Sequence, residues 1–121
     1  MSTVLIVEDS MAQREIMTDL LKASGFTVTH AKDGIEALEV IETDTPDLVI
    51  LDIVMPRMNG YELCRRLKSH PKTQNVPVVI CSGNSEEFDR YWGMKQGADA
   101  YIGKPFPPSE LVEIVKKVLR G

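Results

Sequence analysis

Four places in the sequence carry side chains suited to charge-handling chemistry, and each directly follows an apolar run. Glu8-Asp9 follows TVLIV, Asp52 follows LVIL, Ser82 follows VPVVIC, and Gly103-Lys104 follows ADAYI. A run such as LVIL reads as a strand buried on both faces, so a bare acid at its end needs a reason. Three carboxylates gathered in one site would raise one another's pKa strongly. Lys104 offsets one charge, and a hard divalent cation would offset the others. Oxygen ligands of this kind suit magnesium, which keeps several waters and takes few protein carboxylates. Glu8 and Asp9 then hold the metal, and Asp52 contributes one oxygen and keeps the other free as a nucleophile. A carboxylate nucleophile beside magnesium and a lysine suits phosphoryl transfer, which needs positioning and neutralised oxygens more than covalent chemistry. The hydroxyl of Ser82 is a further donor for those oxygens.

The elements that must bring these groups together alternate in type. Strands are expected at Thr3 to Val7, Phe26 to His30, Leu48 to Leu51, Val76 to Cys81 and Ala98 to Ile102. Helical periods lie between them. Ser10 with Gln13, Asp33 with Glu36 and Asn59 with Glu62 each set a capping side chain three residues before Glu or Gln. Gly25 and Gly97 stand where helices end. A last helix from about Ser109 turns Leu111, Val112, Val115, Val118 and Leu119 inward and finishes basic. Residues 1–121 therefore read as one α/β domain of (βα)5 type, with parallel strands joined by right-handed crossovers and no output domain. Ligands in such sheets bind at the carboxyl ends of the strands. All the polar groups named above fall at carboxyl ends, so they are expected to meet in one crevice.

The composition excludes several classes. With 43% hydrophobic and 26% charged residues over 121 positions, the chain has the balance of a globular domain. A net charge of -4 argues against nucleic acid as a partner. No apolar run approaches the roughly 20 residues of a membrane-spanning helix, and the start has no basic segment typical of a signal peptide. Cys64 and Cys81 lack metal-ligand spacing and read as buried, reduced thiols, so the expected location is cytoplasmic.

Taken together, VLIVEDS, LVILDIVMPRMNG, VVICSG and AYIGKPF, in this order and spacing, resemble the receiver domain of two-component response regulators. The resemblance covers the whole chain. It implies a flavodoxin-like sheet in the order 2-1-3-4-5 with helices on both faces. It also implies phosphorylation of Asp52 by a histidine kinase, with Glu8 and Asp9 holding or positioning magnesium and Val54 lending its backbone carbonyl. Ser82 and Lys104 would contact the phosphoryl group, Gly83 would leave room for it, and Tyr101 would be the ring that turns inward on activation. The Lys104–Pro105 bond is expected to be cis. The segment DRYWGMKQGADAYIGKP is similar to receivers of twitching motility and chemotaxis-like pathways. Such a domain is a phosphoacceptor that assists its own modification rather than a dedicated enzyme. It would act as a monomer or a weak phosphorylation-dependent dimer on a downstream protein.

Competing readings are weaker on specific residues. A haloacid-dehalogenase-like phosphatase wants a second Asp two positions after the nucleophile, where this chain has Val54. A flavin carrier of related fold would meet repulsion between phosphate and Glu8-Asp9. A pseudo-receiver would have lost Asp52, an acid of the pair or Lys104. A phosphate sink for a shared kinase remains the alternative to active signalling. Phe88, Tyr91 and Trp92 share one helical face, for which core packing and partner contact both offer an account. His30 and His70 receive no role.

Overall fold

The alternation of short apolar runs and helical periods folds as ten elements in strict βα order. A computed structural model describes residues 2–121. The strands are β1 (Thr3–Val7), β2 (Thr27–Ala31), β3 (Leu48–Leu51), β4 (Val78–Ser82) and β5 (Ala100–Gly103). The helices are α1 (Met11–Ala23), α2 (Gly34–Thr43), α3 (Gly60–Ser69), α4 (Glu87–Lys95) and α5 (Pro108–Arg120). All strand pairs are parallel, in the order β2-β1-β3-β4-β5. That is the flavodoxin-like order the sequence resemblance implies.

Successive strand residues point to opposite faces, so each strand feeds two cores. Val4, Ile6, Leu48, Ile50, Val79, Cys81 and Ile102 pack with α1 and α5 through Met17, Leu21, Leu111 and Val115. Leu5, Val7, Val49, Leu51, Val78 and Ile80 pack on the other face with α2 and α3 through Ala37, Ile41, Leu63, Cys64 and Leu67. This is why LVIL carries no polar alternation: both of its faces are covered.

Three strands start later than their apolar runs suggest, and the causes are local. Gly25 and Gly97 adopt φ of 93° and 103° and end their helices with a left-handed residue. The next residue's N–H is then spent on the helix: Phe26 donates to the Leu21 carbonyl at 3.1 Å and Ala98 to that of Gly93 at 3.4 Å. Both belong to helix termini rather than strands. In the run before β4, Pro77 has no N–H for the ladder, and pairing begins at Val78.

The helix starts follow the expected caps. Ser10 Oγ accepts from the Gln13 N–H at 3.3 Å, Asp33 Oδ1 from Glu36 at 2.9 Å and Asn59 Oδ1 from Glu62 at 3.0 Å. α4 differs. Glu86 stands at its N-cap, and the Glu86 N–H donates to Asp89 Oδ2 at 3.1 Å. Core packing does not account for its aromatic face. Phe88, Tyr91 and Trp92 are 72%, 59% and 43% exposed, and Gly93 is the one buried residue of the helix. A side chain there would collide with the sheet, since a Cβ on Gly93 would lie 2.9 Å from Ile80 Cδ1 and from the Tyr101 ring.

The connection from β3 to α3 is held tightly. The Gly60 N–H donates to the Ile53 carbonyl at 2.9 Å, and a Cβ at position 60 would lie 2.1 Å from the Asp52 carbonyl oxygen. Within this loop Arg57 has φ of 68° and pairs with Asp33, the cap of α2.

Two predictions follow from this geometry. Gly60→Ala forces Cβ into backbone that cannot swing aside, so urea unfolding should register a loss of about 3 kcal/mol or more. Gly83→Ala meets nothing within 4 Å and should stay within about 0.5 kcal/mol of the parent. The second concerns pH. The Glu36 N–H in the cap, aided by the Arg57 guanidinium, outweighs burial and holds the Asp33 carboxyl below its ordinary value of 3.8. A depressed pKa contributes stability above the unfolded value and loses it as pH falls through the folded one. Asp33→Asn keeps the cap but lacks that charge. The stability gap between parent and variant, open at pH 7, should therefore close on acidification below about pH 3.8.

Candidate functional site

Parallel register carries the strand-ending residues to one level. Val7 lies opposite Leu51, so Glu8 and Asp52 emerge side by side, and Ser82 lies opposite Gly103, which brings Lys104 up next to it. The ladder continues one step past the strand ends. The N–H groups of Glu8, Asp52 and Lys104 donate to the carbonyls of Ala31, Val7 and Ser82 at 3.0, 3.1 and 2.9 Å. Main chain under each functional residue is thereby fixed by its neighbour strand.

Carboxylate oxygens of Glu8, Asp9 and Asp52 all lie within 4.8 Å of one another. Glu8 is 2% exposed, and Asp9 is open to solvent. Lys104 Nζ joins the cluster by donating to Glu8 Oε1 and, at 3.2 Å, to Asp52 Oδ2. Asp52 Oδ1 accepts from the Ile53 N–H at 2.6 Å, and Glu8 Oε2 accepts from the Ser10 N–H at 3.2 Å. Arg14 Nη1 donates to the Glu8 carbonyl at 2.8 Å and ties α1 to the same corner. Burial pushes the Glu8 carboxyl above its ordinary value, with Lys104 pulling the other way and Asp52 adding to the rise. For Lys104, burial alone would favour the neutral amine, but its hydrogen bond to Glu8 and the charges of Asp52 and Glu8 outweigh it. The ammonium is held above its ordinary range.

Three acids against one lysine leave two negative charges in excess. The donor set is all oxygen and hard, one acid is open to water, and this composition fits a magnesium ion with part of its hydration retained.

The remaining expected residues border this cluster. Ser82 is buried, and its Oγ accepts from the Asn84 N–H at 3.1 Å. Gly83 has open space where a Cβ would stand. Val54 presents its side chain to solvent, and the Lys104–Pro105 bond is cis. Tyr101 is half-buried, its ring edge against Gly93 and its hydroxyl donating to the Asn84 carbonyl. Arg90 lies over that ring at 5.4 Å from its centroid and donates to the Tyr101 carbonyl at 3.1 Å. Burial, together with the neighbouring Tyr61, pushes the Tyr101 phenol up to about 12. Both cysteines are buried, and burial drives Cys64 up to about 11 and Cys81 up to about 12.

Two features of the neighbourhood lie outside the sequence reading. Arg14 is one turn into α1, and a helical period from Ser10 carries the hint that it could reach back to Glu8. The Asp33–Arg57 pair spans 24 residues, and no pattern of types or spacing announces it.

Comparison with known proteins agrees with this geometry. The response regulator receiver domain family matches residues 4–116. The chain is 39% identical over 117 residues to the response regulator MprA of Mycobacterium ulcerans, covering 97% of this chain and 50% of that protein. It thus spans about half the length of the curated relatives it matches. Among solved structures, the chemotaxis protein CheY4 of Vibrio cholerae superposes with a TM-score of 0.92 at 29% identity, covering 98% of both chains. The receiver domain of a sensor histidine kinase from Pseudomonas aeruginosa superposes at 0.91 with 27% identity, covering 99% of this chain and 98% of that one. It was solved with a magnesium ion coordinated in its active-site cleft. The motifs, the strand order and the clustered acids all lead to the same assignment: the chain belongs to the family of response regulator receiver domains.

Proposed function

We propose that the chain accepts a phosphoryl group from a histidine kinase on Asp52 and passes the signal to a partner protein through the α4–β5–α5 face. The observation that carries this reading is the Glu8–Asp9–Asp52 cluster with Lys104 bridging two of its members. Glu8, Asp9 and Asp52, with the Val54 carbonyl, would hold magnesium, which when bound neutralises phosphoryl oxygens. Lys104 keeps Asp52 oriented through Oδ2 while the Ile53 N–H holds Oδ1. A carboxylate oxygen of Asp52 then attacks phosphorus, forming an acyl phosphate as the bond to the kinase imidazole breaks. Lys104 and the Ser82 hydroxyl stabilise the oxygens of the transferred group, for which Gly83 leaves space.

The signal is a charge change. The acyl phosphate carries about -1.5 to -2 charges where the Asp52 carboxylate carried one, and sets them farther into the crevice; Ser82 is the hydroxyl best placed to answer it. Asn84 links Ser82 to Tyr101: its N–H donates to Ser82 Oγ at 3.1 Å and its carbonyl accepts from the Tyr101 hydroxyl. A shift of Ser82 therefore reaches the ring that rests on Gly93, and α4 with its exposed aromatics moves with that ring. Likeness to the Vibrio chemotaxis regulator supports a motility or chemotaxis-like pathway for the output.

With magnesium and acetyl phosphate, the protein should gain one phosphoryl group that is labile to both acid and base. Asp52→Asn or chelation should abolish it; full labelling of that variant, or a stable phosphoserine, would refute the assignment. Asp9→Asn should weaken magnesium binding sharply by calorimetry and, by relieving like-charge repulsion, raise the melting temperature without metal. Gly93→Ala tests the switch. It should leave Asp52 labelling intact while crowding the Tyr101 ring, and the fluorescence response of Trp92 to beryllofluoride should be lost. A parent-like response from that variant would separate Tyr101 from the output.

A further inference from the structure

The loop between Asp52 and α3 contains one residue whose backbone and side chain are both unusual. Arg57 is the one non-glycine with positive φ among the described residues, at 68°. A conformation of that kind persists in an arginine only where the surroundings impose it. The Met58 N–H closes a turn around Arg57 by donating to the Pro56 carbonyl at 2.7 Å, and the side chain is held as well. The guanidinium grips the Asp33 carboxylate as a fork, Nε to Oδ2 at 3.0 Å and Nη2 to Oδ1 at 3.0 Å. Asp33 is 2% exposed and already immobilised as the cap of α2, so it is a rigid anchor. The next residue pair repeats the contact. Met58 lies so close to Gly34 that a Cβ there would be 2.8 Å from Met58 Sδ. Asp33-Gly34 thus clasps Arg57-Met58, while Gly60 pins the far end of the loop to Ile53 and Asp52. The clasp also borders the acidic cluster, since Asp9, Lys32, Asp33, Pro56 and Arg57 line one cleft of about 510 Å³.

We propose that Arg57 is a positioning residue for the cation site: by clasping Asp33 it sets the path of the loop just after Asp52, and so the placement of the oxygen that Val54 contributes. This rests on the metal-site reading given above. Magnesium demands near-ideal octahedral geometry, whereas calcium tolerates irregular coordination. A loop held in one path therefore matters far more to magnesium than to calcium. The guanidinium side is about half exposed but Asp33 is almost fully covered, so loss of the pair also costs stability, and the readout specific to positioning is the ratio of the two cation affinities. A merely structural role would leave the balance between the two cations untouched.

The test measures magnesium and calcium affinities of the full chain by calorimetry. Arg57→Gln should weaken magnesium binding about tenfold, the scale seen when groups that orient metal ligands are removed, and calcium binding about twofold or less. Arg57→Lys keeps the charge but loses the fork, and should move the ratio the same way. Asp33→Asn should match Arg57→Gln, and the double variant should add nothing. Circular dichroism checks that each variant is folded. A parent-like ratio of the two affinities in Arg57→Gln and Arg57→Lys would overturn the proposal. Asp9→Asn separates the two levels: if it leaves both cations bound as in the parent, the metal-site reading fails and the clasp proposal with it. If Asp9→Asn loses the cations while the Arg57 variants keep the parent ratio, the clasp proposal alone fails.

Discussion

Everything at the carboxyl edge of the sheet depends on the ammonium of Lys104 lying between Glu8 and Asp52. Two carboxylates side by side at the ends of buried strands repel each other, and Glu8 has almost no access to water that could screen it. Without a cation there, the folded state would carry an uncompensated buried charge, among the most destabilising of defects. The lysine must come from β5, since that strand ends beside Ser82 at the right level. Order and register of the sheet are thus tied to an electrostatic requirement as well as to apolar packing.

The immediate setting of Asp52, the proposed acceptor, is governed by the chain that follows it. Gly60 lets that chain fold back against the Asp52 carbonyl, and Asp33-Gly34 receives its middle. Asp52 is therefore presented by a strand end and a loop that are both fixed at more than one point. Such rigidity suits the role proposed for Asp52, that of meeting an incoming phosphorus atom in one orientation.

The parts legible in the sequence were those that depend on local type and period. Apolar runs ending in Glu8, Asp52 and Ser82 imply strand ends, and alternation with helices implies that those ends share one edge. Helix caps at Ser10, Asp33 and Asn59 were readable because one side-chain oxygen three residues from its partner suffices to make them. Strand starts after Gly25 and Gly97 were not, because the glycine cap recruits the following N–H, and hydrophobicity does not record that. Nor did the shared face of Phe88, Tyr91 and Trp92 reveal its direction: a period says which residues lie together, not whether sheet or water lies opposite. The Arg57 clasp was hidden for a different reason. Arginine is not a residue type that signals a left-handed turn, and its partner lies in another βα unit.

α4 buries a single residue, Gly93, with Arg90 adding polar contacts to Tyr101, whereas α1 and α3 bury three and four residues each. Local opening free energy follows how much apolar surface a segment hides, so α4 sits at the low end of this protein's range. Its amides should then exchange with solvent through small openings that leave the strands closed. Displacing such a helix draws on a shallow well. A modest electrostatic change at the crevice can redistribute its conformers without touching the deep energy that keeps the sheet together. On the proposed reading, signal and structural integrity are thereby stored in separate parts of one fold.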